Sequence, residues 1–295
     1  MSRHLDWSVD RATWPHSDSS RFHRVGGLRW HVQEMGEGPA VLLVHGTGAS
    51  THSWRTLAPL LARHFRVIAP DLPGHGFTRP PARDRLSLPA MAEGLASLVK
   101  ALAIPVAFAV GHSAGAAILI RGCLDGRLAP DGLVSLNGAL MPFRGPAGFL
   151  FPPLAKLLSL NPLTPRLFAL SAGDRERVDR LIRGTGSVLD EEGVDLYARL
   201  FRSPGHVASV LGMMANWDLR QLQRDLPNLK PPLLMIAAEN DRAVAPADAE
   251  RIVGRVKDAR LANVPDLGHL AHEEDAGSVA DLIMDWIAVT TAKRR

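Results

Sequence analysis

The feature that most constrains this chain is a series of short apolar runs alternating with helix-like segments. AVLLVHG (40–46), FRVIAPDL (65–72), PVAFAVGH (105–112), DGLVSLNGAL (131–140), PPLLMIAAEND (231–241) and ARLANV (259–264) read as strands. A strand buried on both faces is apolar without interruption, as strands of a covered parallel sheet are. LRWHVQEM (28–35) instead alternates, as a half-exposed strand does. Between them, SWRTLAPLLARH, SLPAMAEGLASLVKAL, AGAAILIRGCL, PADAERIVGRV and DAGSVADLIMDWIAV read as helices. Pro89 near the start of the second helix loses little, because the first turn has spare N–H groups anyway. Strand and helix in strict alternation predict an α/β fold: a mostly parallel sheet with helices on both faces.

Residues 141–225 break the alternation. They are rich in Pro, Leu and Arg, read as helices and loops, and contain no convincing strand. The expected organisation is an α/β core of 1–140 and 226–295, interrupted by a helical cap at 141–225. Phe143, Phe149, Met213, Met214 and Trp217 make the insertion apolar. They are candidates to line a pocket for a small hydrophobic substrate, or else to glue the cap to the core; methionine suits an adaptable lid.

Composition narrows the classes. A chain of 295 residues is long enough for one large core. The net charge of +4 comes from scattered basic residues, so no nucleic-acid footprint is expected. A single cysteine, Cys123, excludes an internal disulfide, suits a reducing cytoplasm and reads as a buried space-filler. The polar N-terminal segment lacks the apolar core of a secretory signal, and no stretch is expected to span a membrane. Trp7 and Trp14 in that segment are expected to pack onto the body.

The strand-end loops carry the chemistry. AVGHSAGAA (109–117) sets Ser113 between a buried strand and a helix. A serine hydroxyl is a poor nucleophile until a base takes its proton. The turn needs flanks without bulk, which Gly111, Ala114 and Gly115 provide around His112 and Ser113, and it lifts the serine above the sheet edge. Asp241 follows one later strand and His269 another, in the order nucleophile, acid, base. His272 is a rival base that reads better as a capping or surface residue. Glu239 is a weaker acid than Asp241, and Asp266 reads as a turn residue. Asn137 occupies the other strand end from which an acid could come, and cannot carry the charge. VHGTGAS (44–50) is dense in small residues, so the amides of Thr47 and Ala114 are the expected oxyanion donors. DLPGHGFT (71–78) reads as structural support beside the site, with His75 and His112 lining the pocket or satisfying local hydrogen bonds. No phosphate loop and no metal-ligand spacing is present, so neither a cofactor nor a metal is expected.

HGTGAS, DLPGHG, GHSAG, LLMIAAENDRAVAP and GHLAHEE fall where the α/β-hydrolase superfamily carries its motifs, and the chain resembles that superfamily from Leu28 to Ile287. The resemblance implies the α/β-hydrolase fold with a helical cap and a triad of Ser113, Asp241 and His269. More narrowly, the run from RFHRVGGLRWHVQEM through HGTGASTHSWR to DLPGHGFT resembles the hydrolase-like magnesium-chelatase accessory proteins of bacteriochlorophyll gene clusters (BchO type). That likeness implies a photosynthetic bacterium, a role near the early magnesium branch of bacteriochlorophyll synthesis, and magnesium chelatase subunits as candidate partners. The apolar insertion, not the likeness, is what suggests a large hydrophobic acyl or porphyrin-like (tetrapyrrole) ester as substrate. The likeness leaves a second expectation open: a non-catalytic accessory protein that keeps the hydrolase scaffold.

Overall fold

The computed structural model describes residues 4–142, 164–165, 167, 169 and 174–294. Its centre is one eight-stranded sheet in the order β1-β2-β4-β3-β5-β6-β7-β8. The strands are β1 (Ser20–Val25), β2 (Leu28–Met35), β3 (Ala40–Val44), β4 (Arg66–Pro70), β5 (Val106–His112), β6 (Gly132–Leu136), β7 (Leu233–Ala238) and β8 (Ala259–Val264). Pairing is parallel from β4 to β8; β2 runs antiparallel to β4, and β1 antiparallel to β2. β1 was not foreseen from the sequence. Its residues, SRFHRV, show no apolar period, and none is fully buried. A tight turn over Gly26 and Gly27, both at positive φ, folds it back onto β2.

β3 shows how the sheet divides the core. Every residue of AVLLV is buried, and successive side chains point to opposite faces. Val41 and Leu43 join one apolar cluster with Leu57, Leu61, Ile283 and Trp286. Leu42 and Val44 join the other, with Met91, Leu95 and Ile118. The first cluster is covered by α1 (Leu57–Leu61) and a long C-terminal helix, Ala276–Ala292; the second by α2 (Leu88–Leu102) and α3 (Ala114–Leu124). The single helix expected over SWRTLAPLLARH is split. A 3-10 turn covers Thr51–Trp54, and α1 begins only at Leu57. Pro59 is the reason: lacking an N–H, it is tolerated only in a first turn.

Among the described residues, four α-helices lie between residue 173 and β7: α4 (Arg175–Gly184), α5 (Glu191–Phe201), α6 (Pro204–Ala215) and α7 (Arg220–Asp225). Three start at acceptor side chains. Asp174 takes the N–H of Glu176, Asp190 that of Gly193 and Ser203 that of His206. α7 is not a separate layer: Leu222 is buried in the α2–α3 cluster. Among the described residues, no helix is long and apolar enough to cross a membrane.

β4 lies on one side of β3 and β5 on the other, so chain order reverses there. In open α/β sheets ligands gather in the crevice at the carboxyl ends of strands around such a reversal. The loops after β3 and β5 are the two that hold Thr47 and Ser113.

Candidate active site

Ser113 links β5 to α3 with φ 51° and ψ −117°. A side chain held in this sparsely populated region costs on the order of 1–3 kcal/mol, and such strain persists where the surroundings enforce it. They do so here. The Ser113 amide donates to Leu136 O at 3.0 Å, and its carbonyl accepts from Ala116 N and Ala139 N. The flanking glycines are required by contact. A Cβ on Gly115 would lie 2.1 Å from Val44 O, and one on Gly111 2.4 Å from Ala116 N.

Asp241 and His269 meet as the sequence order suggests. His269 Nδ1 lies 2.8 Å from Asp241 Oδ2, and both residues are buried. The other carboxylate oxygen, Oδ1, accepts from the amides of Ala243 and Val244, each at 2.8 Å. The aspartate is therefore fixed on both sides. The His269 ring packs against that of His112, the residue before Ser113, with centroids 4.7 Å apart and the planes tilted by 54°. Among the described residues the Ser113 hydroxyl makes no hydrogen bond; catalytic contacts of this kind often close only around substrate.

The oxyanion candidates lie in the crevice loops. Neither the Thr47 amide nor the Ala114 amide has an acceptor among the described residues; Ala114 opens α3, where N–H groups are spare. His45 braces the Thr47 loop. Its Nδ1 bonds to Gly46 O at 2.8 Å, and its Nε2 accepts from Leu72 N at 2.9 Å. Burial lowers its pKa and keeps it neutral. Asp71 ties this loop to the next: Oδ1 takes Thr51 N, while Oδ2 takes Phe77 N and faces His31 Nδ1 at 2.8 Å. Burial would raise its pKa, but His31 and these hydrogen bonds bring it down to about 2. DLPGHGFT thus supports its neighbours, as read from the sequence.

Several positioning groups escape a reading of the sequence. Asn137, set aside above because it has no charge, acts as a clamp. Its Nδ2 donates to Gly268 O and His269 O, and its Oδ1 accepts from Ala238 N. The turn after α4 grips both the acid and the base loops. Thr185 O accepts from Arg242 N at 3.0 Å and His269 N at 3.4 Å, and Ser187 Oγ accepts from Leu270 N at 2.8 Å. Farther back, the buried Arg55 guanidinium joins Asp190 on the α5 cap to Glu273, which also receives the Tyr197 hydroxyl at 2.8 Å. Burial pushes Glu273 up to about 7 despite both partners. No sequence period marks these residues; they meet only in the folded chain.

The rivals fall away. His272 is not a surface or capping residue as expected: it is fully buried against Trp54 and His112, and neither ring nitrogen has a hydrogen-bond partner among the described residues. Burial brings it down to about 3, too low for a base at neutral pH. His112, also fully buried and held neutral, bonds through Nε2 to His269 O at 2.9 Å. His75 is buried with Nδ1 near Pro73 O. Glu239 is exposed, and Asp266 occupies a left-handed turn at φ 61°. Of the expected pocket residues, Phe143 and Phe149 lie outside the described residues. Met213 is buried, its sulfur 3.5 Å from the Thr47 hydroxyl; Met214 and Trp217 are half-buried, Trp217 against the core. Cys123 is half-buried rather than buried, against the α2–α3 cluster, and burial of its thiol pushes the pKa to about 12. Among the described residues, no three His, Cys, Asp or Glu side chains group so as to hold a metal.

Comparison with known proteins gives a consistent picture. The profile of the alpha/beta hydrolase family matches residues 41–282. A relative named magnesium-chelatase 30 kDa subunit, from Rhodobacter capsulatus, is 41% identical over 281 residues, spanning 94% of this chain and 97% of its own. A 2-hydroxy-6-oxo-6-phenylhexa-2,4-dienoate hydrolase from Burkholderia cepacia is 26% identical, spanning 90% of this chain and 93% of its own. The solved epoxide hydrolase CorEH superposes with a TM-score of 0.78 at 22% identity, covering 91% of this chain and 98% of its own, a likeness of fold alone.

Proposed function

Because the chain belongs to the alpha/beta hydrolase family, we propose that it is a serine hydrolase with Ser113, His269 and Asp241 as its catalytic groups. The observation that carries the reading is the Asp241–His269 hydrogen bond of 2.8 Å, at the same sheet edge as the strained Ser113 turn. In this reading Ser113 Oγ attacks the carbonyl carbon of an ester and its proton passes to His269 Nε2. Asp241 holds the imidazole with Nδ1 protonated and stabilises the cation that forms. The carbonyl oxygen becomes an oxyanion facing the Thr47 and Ala114 amides, each donor worth about 3–4 kcal/mol. His269 then returns its proton to the departing alcohol. Water attacks the acyl-serine by the same route and releases the acid. Neither step draws on a cofactor or a metal.

The substrate we favour is an ester of a hydrophobic molecule, a tetrapyrrole of bacteriochlorophyll synthesis being the specific candidate, with the helical segment at 141–225 as the cap above it. Support comes from Met213 against Thr47 and from the name of the Rhodobacter capsulatus relative. That name also favours a second reading, in which the chain serves magnesium chelatase as an accessory or binding partner and does not turn over.

Rates with p-nitrophenyl esters of short and long acyl chains, and with a porphyrin methyl ester, test the proposal. Ser113→Ala and His269→Ala should each lower turnover by about three orders of magnitude or more. Unchanged residual rates in both variants would favour the accessory reading.

A further inference from the structure

A cavity of about 410 Å³ lies between the N-terminal segment and the core, within the usual size of small-molecule pockets. None of its lining residues belongs to the proposed triad or its oxyanion loop. Its apolar side is rigid. Trp7 meets Phe77 edge-on, with ring centroids 4.9 Å apart, and the buried Trp14 packs against Phe77 from another side at 4.8 Å. Trp14 is anchored in turn by its indole N–H to the Thr51 hydroxyl. The floor is therefore set before any ligand arrives.

The other side of the cavity is cationic. Arg11, Arg29 and Arg79 all line the same cavity. Elsewhere Arg55, Arg66, Arg121, Arg175, Arg183 and Arg220 each face a carboxylate within 3 Å. The side chains of Arg11 and Arg79 make no hydrogen bond and no ion pair within 4 Å among the described residues, and Arg79 faces the charge of Asp6 from farther away. Arg29 is held by a ring instead, its guanidinium carbon 3.7 Å from the centroid of Phe22. The cavity's one acid, Asp6, spends a carboxylate oxygen on the amide and hydroxyl of Ser8. Three cations against one engaged carboxylate leave an excess of two positive charges facing a shared space. Guanidinium forks match carboxylate oxygens two at a time, and aromatic edges and faces suit a flat body.

We propose that this cavity binds a small organic polyanion: a flat aromatic or conjugated body bearing two or more carboxylates. The arginines take the carboxylates, and the body lies against Trp7 and Phe77. Asp71, which accepts from both Phe77 N and Thr51 N, ties the wall of this cavity to the turn that follows the Thr47 loop. The proposal does not depend on the chain being a hydrolase.

The test uses the intact chain and benzene-1,3,5-tricarboxylate, followed by calorimetry and by tryptophan fluorescence, for which Trp7 is the internal reporter. Sub-millimolar binding is expected, weakening as salt rises. Citrate, of like charge without the ring, should bind at least about tenfold more weakly. Arg11→Gln with Arg79→Gln should lose at least about tenfold in affinity at an unchanged melting temperature, since both side chains are exposed. Ser113→Ala should bind as the parent does. The proposal is overturned by no heat and no fluorescence change, by citrate binding as tightly, by an unaffected double arginine variant, or by loss of binding in Ser113→Ala, which would place the probe in the catalytic crevice.

Discussion

Buried neutral histidines should make this fold acid-labile, and His272 isolates the effect. Burial holds His272 at about 3 and His206 at about 4, against an ordinary value of 6.5. In the unfolded chain both take a proton near pH 6.5; in the folded chain neither does until far lower. The unfolded state thus binds more protons in that window, and stability falls as pH drops below 6.5, whereas above 6.5 neither histidine contributes to the slope. From pH 6.5 to 5 is about 1.5 units at about 1.4 kcal/mol each, or about 2 kcal/mol per histidine. The pair removes about 4 kcal/mol, a large share of a typical 5–15 kcal/mol. His45, His52, His75 and His112 are shifted the same way by burial and add to the slope. His272→Leu removes one titrating site. It also removes two unpartnered buried ring nitrogens, so stability at pH 7.5 should hold or rise. Urea unfolding at pH 7.5, 6.5 and 5 is the assay. The variant should keep about 2 kcal/mol more than the parent on going from pH 6.5 to 5. Identical pH slopes in parent and variant would refute the reasoning. Retained activity in the variant is also expected, since His272 is not the base.

Two other substitutions probe the scaffold. Ser187→Ala strips the acceptor from the buried Leu270 amide and should cost about 1–3 kcal/mol in urea unfolding, with kcat for an ester substrate falling more than KM rises, because the His269 loop is released. Gly115→Ala drives a Cβ into the Val44 carbonyl, so a loss of at least about 2 kcal/mol, or failure to accumulate folded protein, is expected in expression and thermal melts.

The sheet was legible wherever strands are buried on both faces, since AVLLV and LLMIAA have no reading as exposed structure. β1 was not, because its residues are mostly polar and its pairing is set by the Gly26–Gly27 turn, the one local signal that could have revealed it. Ser113, Asp241 and His269 were nominated from their places at strand ends, and the structure sets the last two in contact. The clamps were invisible for a different reason. Asn137, Thr185 and Ser187 act through hydrogen bonds to distant backbone, and nothing in residue type or spacing announces a partner more than about 50 positions away. His272 was misplaced because a histidine near a helix start reads as polar, whereas packing against Trp54 and His112 buries it completely.

The central claim is that the hydroxyl of Ser113 is activated by the imidazole of His269. Fluorophosphonate modification of the intact chain, with the adduct located by peptide mass spectrometry, addresses it directly. The account predicts one adduct, on Ser113, that vanishes in His269→Ala and drops sharply in Asp241→Ala. An unmodified chain, or an adduct that survives loss of the imidazole at 269, would contradict it.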